Sequence, residues 1–290
     1  MEIDNPGGHG GHLTATNEQV TVDRDTFVHR VIGAERDRVP PLLCLQHFRG
    51  NLDNWDPVLV DRLAQERTVI LVDNRGVAGS TGIVPDNVED MTRDIRKFIS
   101  ALGLSTVDVL GFSLGGFIAQ ELALTYPRLV RRLVLAATAP RGAPRIHRWT
   151  DDVYGLAAQD QMRPEHILKL FFSGSDESQH KGLEYLKRIS LRTADRDQPT
   201  DLATRDAQLT AITRWGIPVN SQLERLHALV QPTLVANGDN DTMMQTANSH
   251  LLAKHLPESQ LRIYQDAGHG FLDQEPAHFA AHVHAFLEGG

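Results

Sequence analysis

Two rhythms of apolar residues divide this chain. Near the start, residues 19–23 and 26–32 read as the two strands of a hairpin. Beyond residue 40 the apolar runs become short and continuous, at 42–45, 68–72, 107–110, 133–136 and 233–236, and residues 261–264 form a further strand. Continuous runs are expected where a parallel sheet is covered on both faces. Between them lie helical periods. The clearest covers about 87–102, where Met91, Ile95, Phe98, Ile99 and Leu102 recur on one face, Asp90 and Asp94 sit early, and Gly103 follows the end. Strands alternating with helices predict an α/β sheet with right-handed crossovers.

Residues 141–221 break this rhythm. They are rich in charge, carry amphipathic stretches at 164–172 and 183–189, and contain no convincing strand. So long a connection predicts a helical insertion that serves as a lid. The expected organisation is a flexible tail over 1–18, a core formed by 19–140 and 222–290, and a cap over 141–221. Glycine-rich residues 1–12 carry His9 and His12, but no further ligands nearby for a metal.

Composition narrows the function classes. A net charge of −8 without a basic patch argues against nucleic-acid and anionic-membrane partners. The single cysteine, Cys44, sits in an apolar strand and excludes an intrachain disulfide. The start has neither a basic region nor an apolar core, and no stretch approaches transmembrane length. A cytoplasmic protein acting on a small molecule is the expectation, with oligomeric state open and a homodimer compatible.

The chemistry concentrates at Gly111-Phe112-Ser113-Leu114-Gly115, between the strand at 105–112 and a helix over 116–124 that ends before Pro127. A strand turning this sharply into a helix strains the serine backbone and exposes its hydroxyl, with glycines where a side chain would strike neighbouring backbone. A serine hydroxyl needs a histidine to take its proton, and a carboxylate to fix that histidine's tautomer. Among 14 histidines, His269 stands out, flanked by Gly268 and Gly270 just after the last strand; His278, His282 and His284 fall on the final helix as surface or packing residues. For the carboxylate, Asp239 and Asp241 follow the strand at 233–236. Asp241 has the reach to turn back over the sheet edge, whereas Asp239 suits turn geometry.

In this order, Ser113, Asp241 and His269 make the chain resemble the α/β-hydrolase superfamily from about residue 19 onward. Asp73-Asn74-Arg75-Gly76-Val77-Ala78-Gly79-Ser80, and Gly268-His269 followed by Glu275-Pro276, strengthen the resemblance. It implies a mostly parallel eight-stranded sheet flanked by helices, with an inserted helical cap. The sequence departs from the family at the oxyanion loop, usually His-Gly-X. Aligning Gln46 with the family histidine places Trp55 correctly and makes Phe48 the first oxyanion donor through its backbone N–H. Leu114, at the positive end of its helix, is the second. His47 then fills a glycine position, with loop support or pocket contact as its expected role.

The resemblance implies a serine hydrolase of small carboxylic esters or lactones, working through an acyl-enzyme without metal or organic cofactor. Serine at 113 argues against the family's haloalkane dehalogenases and epoxide hydrolases, which use aspartate there. Rival activities on the same scaffold are carbon–carbon hydrolysis of ring-fission ketones, a cofactor-free perhydrolase or haloperoxidase, and a ligand receptor without turnover. Candidate substrate contacts are His47, Arg49, Phe112, Trp149, Phe171, Phe172 and Trp215. Arg49 is expected to meet a substrate carboxylate or to pair with Asp53, and the aromatic residues of the cap compete with a plain core role.

Overall fold

A computed structural model describes residues 11–34, 36, 39–219 and 223–289. Strands β1 (Glu18–Val22) and β2 (Asp25–Ile32) form the antiparallel hairpin, closed at Asp23 with φ 57°. β3 (Leu42–Leu45), β4 (Val69–Val72), β5 (Val107–Phe112), β6 (Val130–Ala136), β7 (Thr233–Gly238) and β8 (Ser259–Tyr264) complete an eight-stranded sheet in the order β1-β2-β4-β3-β5-β6-β7-β8. β2 meets β4 antiparallel, and every later pairing is parallel. Every residue of β3, β4 and β5 is buried, the physical counterpart of their continuous apolar runs.

The helices are α1 (Pro57–Leu63), α2 (Val88–Ala101), α3 (Leu114–Thr125), α4 (Asp151–Ala157), α5 (Pro164–Phe171), α6 (Asp176–Ile189), α7 (Leu202–Gly216), α8 (Thr246–His255), α9 (Phe271–Gln274) and α10 (Pro276–Leu287). α2 begins where the Asn87 side chain accepts the Asp90 N–H, and it buries Met91, Ile95, Phe98 and Ile99. α2 packs on α3, and α1 on α10. α3 begins at Leu114, two residues before the position expected from sequence, so the helix starts directly after Ser113. Helices α4 to α7 occupy the connection between β6 and β7, with no strand among their described residues. No described helix is long and apolar enough to cross a membrane.

The N-terminal segment corrects one expectation. Residues 1–10, His9 included, lie outside the described residues, but 11–17 are packed rather than a loose tail. His12 is buried, and its N–H donates to Asp61 Oδ1 at 2.6 Å. Arg192 donates to the carbonyls of His12 and Ala15 at 3.0 and 2.8 Å. Glycine richness stops at residue 11, and the anchors that hold the segment at His12 lie 49 and 180 residues away along the chain.

Burial, reinforced by the nearby Arg30 and Arg192 guanidiniums, pushes the His12 imidazole down to about 3. The unfolded chain therefore takes this proton first, near pH 6.5. The stabilisation is complete above that value and drains away as pH falls toward 3, by about 1.4 kcal/mol per pH unit. Urea unfolding at pH 7.5 and 5.0 should show wild type losing about 2 kcal/mol more than His12→Gln between the two. Equal losses in the two proteins would remove His12 as the source.

Candidate active site

Four loops converge at the carboxyl edge of the parallel strands, where open α/β sheets place their sites. They follow β3, β5, β7 and β8. Ser113, directly after β5, has φ 56° and ψ −115°, a conformation that side chains rarely adopt. Three bonds hold this strained turn. The Ser113 N–H donates to Ala136 O at 2.9 Å, while its carbonyl accepts from the Gly116 N–H and the Thr138 hydroxyl, both at 2.8 Å. A Cβ at Gly115 would lie 2.1 Å from Leu45 O, and one at Gly111 would lie 2.5 Å from Gly115 O. The glycines thus let β3, β5 and α3 approach closely enough to present the serine.

The acid and the histidine are bound to each other. His269 Nδ1 donates to Asp241 Oδ2 at 2.8 Å, and both side chains are buried. Asp241 Oδ1 accepts the N–H groups of Met243 and Met244 at 2.8 and 2.9 Å, which fixes the carboxylate plane. With Nδ1 holding the proton, Nε2 carries the lone pair and can act as a base. Asp239 instead accepts the Ala267 N–H and the Asn240 amide, as a turn residue does. The loop carrying His269 is anchored to the end of α5. Gly270 N–H donates to Phe171 O at 2.7 Å, and the Ser173 hydroxyl donates to Asp266 at 2.6 Å.

Ser113 and His269 face a common cavity of about 460 Å³. Ser113 Oγ is buried and has no hydrogen-bond partner among the described residues. The backbone N–H groups of Phe48 and Leu114 likewise find no acceptor among those residues. The cavity lining mixes apolar side chains, among them Met162, Ile167, Leu170, Phe171 and Met243, with polar ones such as Asn51, Asp53, Asn54, Asp197 and Thr200. Asp197 and the buried Asp73 share the Leu52 N–H at 3.0 Å each. Burial first, and neighbouring carboxylates second, hold both acids above the ordinary carboxylate range.

The loop after β3 is braced by the Gln46 side chain. Gln46 Oε1 accepts the His47 N–H at 2.9 Å, and its amide reaches Asn51 O at 3.4 Å. His47 lines the cavity, its ring edge-on to Phe112 and Phe171, and its Nδ1 donates to Phe48 O at 2.8 Å. Burial lowers this imidazole to about 3, against the opposing pull of the Phe48 carbonyl.

Arg49 does not form the expected pair with Asp53. At φ 61°, it donates its N–H to Gln208 Oε1 at 2.6 Å and its guanidinium to the carbonyls of Gln159 and Asp160 at 2.5 and 3.0 Å. Thr200 Oγ1 donates to its carbonyl at 3.1 Å. Although Arg49 borders the cavity, its charge serves to clamp the loop to the α4–α7 segment. Asp53 pairs with Arg30 instead, at 2.7 Å.

Of the aromatic candidates, Phe171 lines the cavity wall. Phe112 is not in the lining but packs against lining residues, its ring centroid 5.2 Å from that of His269 and 5.1 Å from that of His47. Trp149, Phe172 and Trp215 turn out to be packing residues. Trp149 bonds Met243 O and meets Phe48, Phe172 packs on Tyr185, and Trp215 stacks on Phe117 while bonding Ala139 O. Sequence reasoning missed Tyr185, which lines the cavity with its hydroxyl on Asn54 O at 2.9 Å. Its place on the amphipathic stretch 183–189 was the available signal.

The sequence model of the alpha/beta hydrolase fold family matches residues 40–276. The chain is 28% identical over 274 residues to the poly(3-hydroxyalkanoate) depolymerase of Ectopseudomonas oleovorans, covering 92% of each protein. It is 28% identical over 250 residues to the pimeloyl-[acyl-carrier protein] methyl ester esterase of Nitrosomonas europaea, covering 83% of this chain and 93% of that one. Among solved structures, an alpha/beta hydrolase fold protein from Chitinophaga pinensis matches with TM-score 0.91 at 41% identity, covering 97% of this chain and 100% of that chain.

Proposed function

The chain belongs to the alpha/beta hydrolase fold family, and from that premise we propose that it is a serine hydrolase of small carboxylic esters or lactones. The observation that carries this reading is the 2.8 Å bond from His269 Nδ1 to Asp241, with His269 lining the cavity that Ser113 also lines. The names of two relatives, a depolymerase of a polyester and a methyl ester esterase, add support for ester chemistry.

In the proposed mechanism, Ser113 Oγ attacks the substrate carbonyl while His269 Nε2 takes its proton and Asp241 stabilises the resulting imidazolium. The N–H groups of Phe48 and Leu114 receive the oxyanion, the latter at the positive end of α3. Collapse of the tetrahedral intermediate expels the alcohol, which takes the proton from His269 and leaves an acyl-Ser113. Water, deprotonated by His269, then releases the acid. Bound substrate brings the hydroxyl and imidazole into proton-transfer contact. The α4–α7 segment acts as the cap, its apolar lining residues accepting the less polar part of the substrate.

The test is covalent trapping. A p-nitrophenyl alkylphosphonate should inactivate the protein with release of one equivalent of nitrophenol, and peptide mass analysis should place the adduct on Ser113. Turnover of p-nitrophenyl butyrate should fall in proportion to labelling. Labelling elsewhere, or full turnover after Ser113 is occupied, would remove this reading.

A further inference from the structure

The mechanism above leaves one chemically active group in the cavity without a task. His47 Nδ1 faces the Phe48 carbonyl, which can only accept, so Nδ1 carries the ring proton. The ring is neutral, because burial lowers its proton affinity far below the usual imidazole range. Nε2 therefore holds a lone pair. It has no partner among the described residues, and it keeps accessible surface of its own. It opens to the cavity that the ring lines, together with Ser113 and His269.

The ring is also held in place. Phe112 and Phe171 meet it at interplanar angles of 73° and 74°, with centroids 5.1 and 5.0 Å away, and the same two phenylalanines flank His269. Next to His47 along the chain is Phe48, the proposed oxyanion donor. A rigid acceptor that cannot become a donor near neutral pH thus stands beside the reacting ester.

We infer that the preferred substrates carry a free hydroxyl near the scissile ester, and that His47 Nε2 accepts its hydrogen bond. An apolar substrate of the same shape would strip water from Nε2 and return nothing. That asymmetry is why a site built to bond a hydroxyl rejects the analogue lacking it. The inference rests on the serine-hydrolase reading, and names the substrate class for that same site.

Two pairs of near-isosteric esters test it. p-Nitrophenyl 3-hydroxypropanoate is compared with p-nitrophenyl butyrate, and 2-hydroxyethyl butyrate with propyl butyrate, each as kcat/KM corrected for spontaneous hydrolysis. The wild-type protein should favour the hydroxylated member of at least one pair by about tenfold or more. In His47→Phe that ratio should fall to near one, whereas His47→Gln, which keeps an acceptor, should recover part of it. Because the wild-type ratio is itself a test, a variant that fails to fold does not protect the inference. Ratios near one in both pairs would overturn it, as would a preference that survives in His47→Phe. Ser113→Ala separates the two levels: a loss of about a thousandfold or more alongside ratios near one discards the hydroxyl inference and keeps the serine reading, while turnover within about tenfold of wild type discards both.

Discussion

Ser113→Ala should lower kcat/KM for p-nitrophenyl butyrate by about a thousandfold or more, with the protein still folded. The size follows from what is removed and what is left. Without Oγ no acyl-enzyme can form, and His269 has no positioned hydroxyl from which to take a proton. The N–H groups of Phe48 and Leu114 and the apolar lining residues remain, so a slow direct attack by water survives, as it does when one member of a catalytic triad is lost. Stability should change little. Serine and alanine meet the same steric problem at φ 56°, and Ser113 Oγ makes no hydrogen bond among the described residues whose loss would count. Thermal unfolding of both proteins, run beside the kinetics, separates a chemical defect from a folding one. Activity within tenfold of wild type in a folded Ser113→Ala protein would sink the nucleophile assignment.

The features legible in the sequence are those written in short-range pattern. Continuous apolar runs located β3 to β7, because a strand covered on both faces has no polar positions to alternate. Gly111 and Gly115 marked the turn, because the backbone contacts that exclude a Cβ there follow from a strand entering a helix within a few residues. Asp241 and His269 could be picked out because each follows a strand end closely. What escaped depends on partners distant in the chain. In the sequence Arg49 has only Asp53 as a nearby partner, yet its ligands are the carbonyls of residues 159 and 160 and the Gln208 amide. Asp53 has Arg30, not Arg49, as its partner. Trp149 and Trp215 stayed open between pocket contact and core, since an amphipathic segment does not reveal whether its aromatic side covers a core or a ligand. Residues 11–17 looked like a tail because the bonds that hold them come from Arg192.

The largest stability effect also comes from a long-range cluster that the apolar reading of β5 passed over. Asp108, completely buried in that strand, accepts from Arg67 Nη1 at 2.8 Å and from Arg131 Nε and Nη2 at 2.9 and 2.5 Å. Arg67 is also fully buried, and its other partner is Glu288 at 2.7 Å, whose side chain is 63% exposed. Asp108→Ala would strand the Arg67 guanidinium in the interior with one solvent-screened carboxylate, and should cost about 3–5 kcal/mol in urea unfolding. The expected loss comes from the uncompensated charge more than from the missing attraction. Arg131→Met keeps the buried Arg67–Asp108 pair and should therefore cost less. Replacing both buried partners, as Arg67→Met with Asp108→Leu, should recover much of the loss, because no charge is then left unpaired. Asp108 lies near the amino end of β5, whereas Ser113 follows its carboxyl end, so turnover per folded molecule should stay within about twofold of wild type in the singly and doubly substituted proteins. A loss below about 1 kcal/mol in Asp108→Ala would mean that water or a shifted Glu288 rescues Arg67, and that β5 does not depend on this buried cluster.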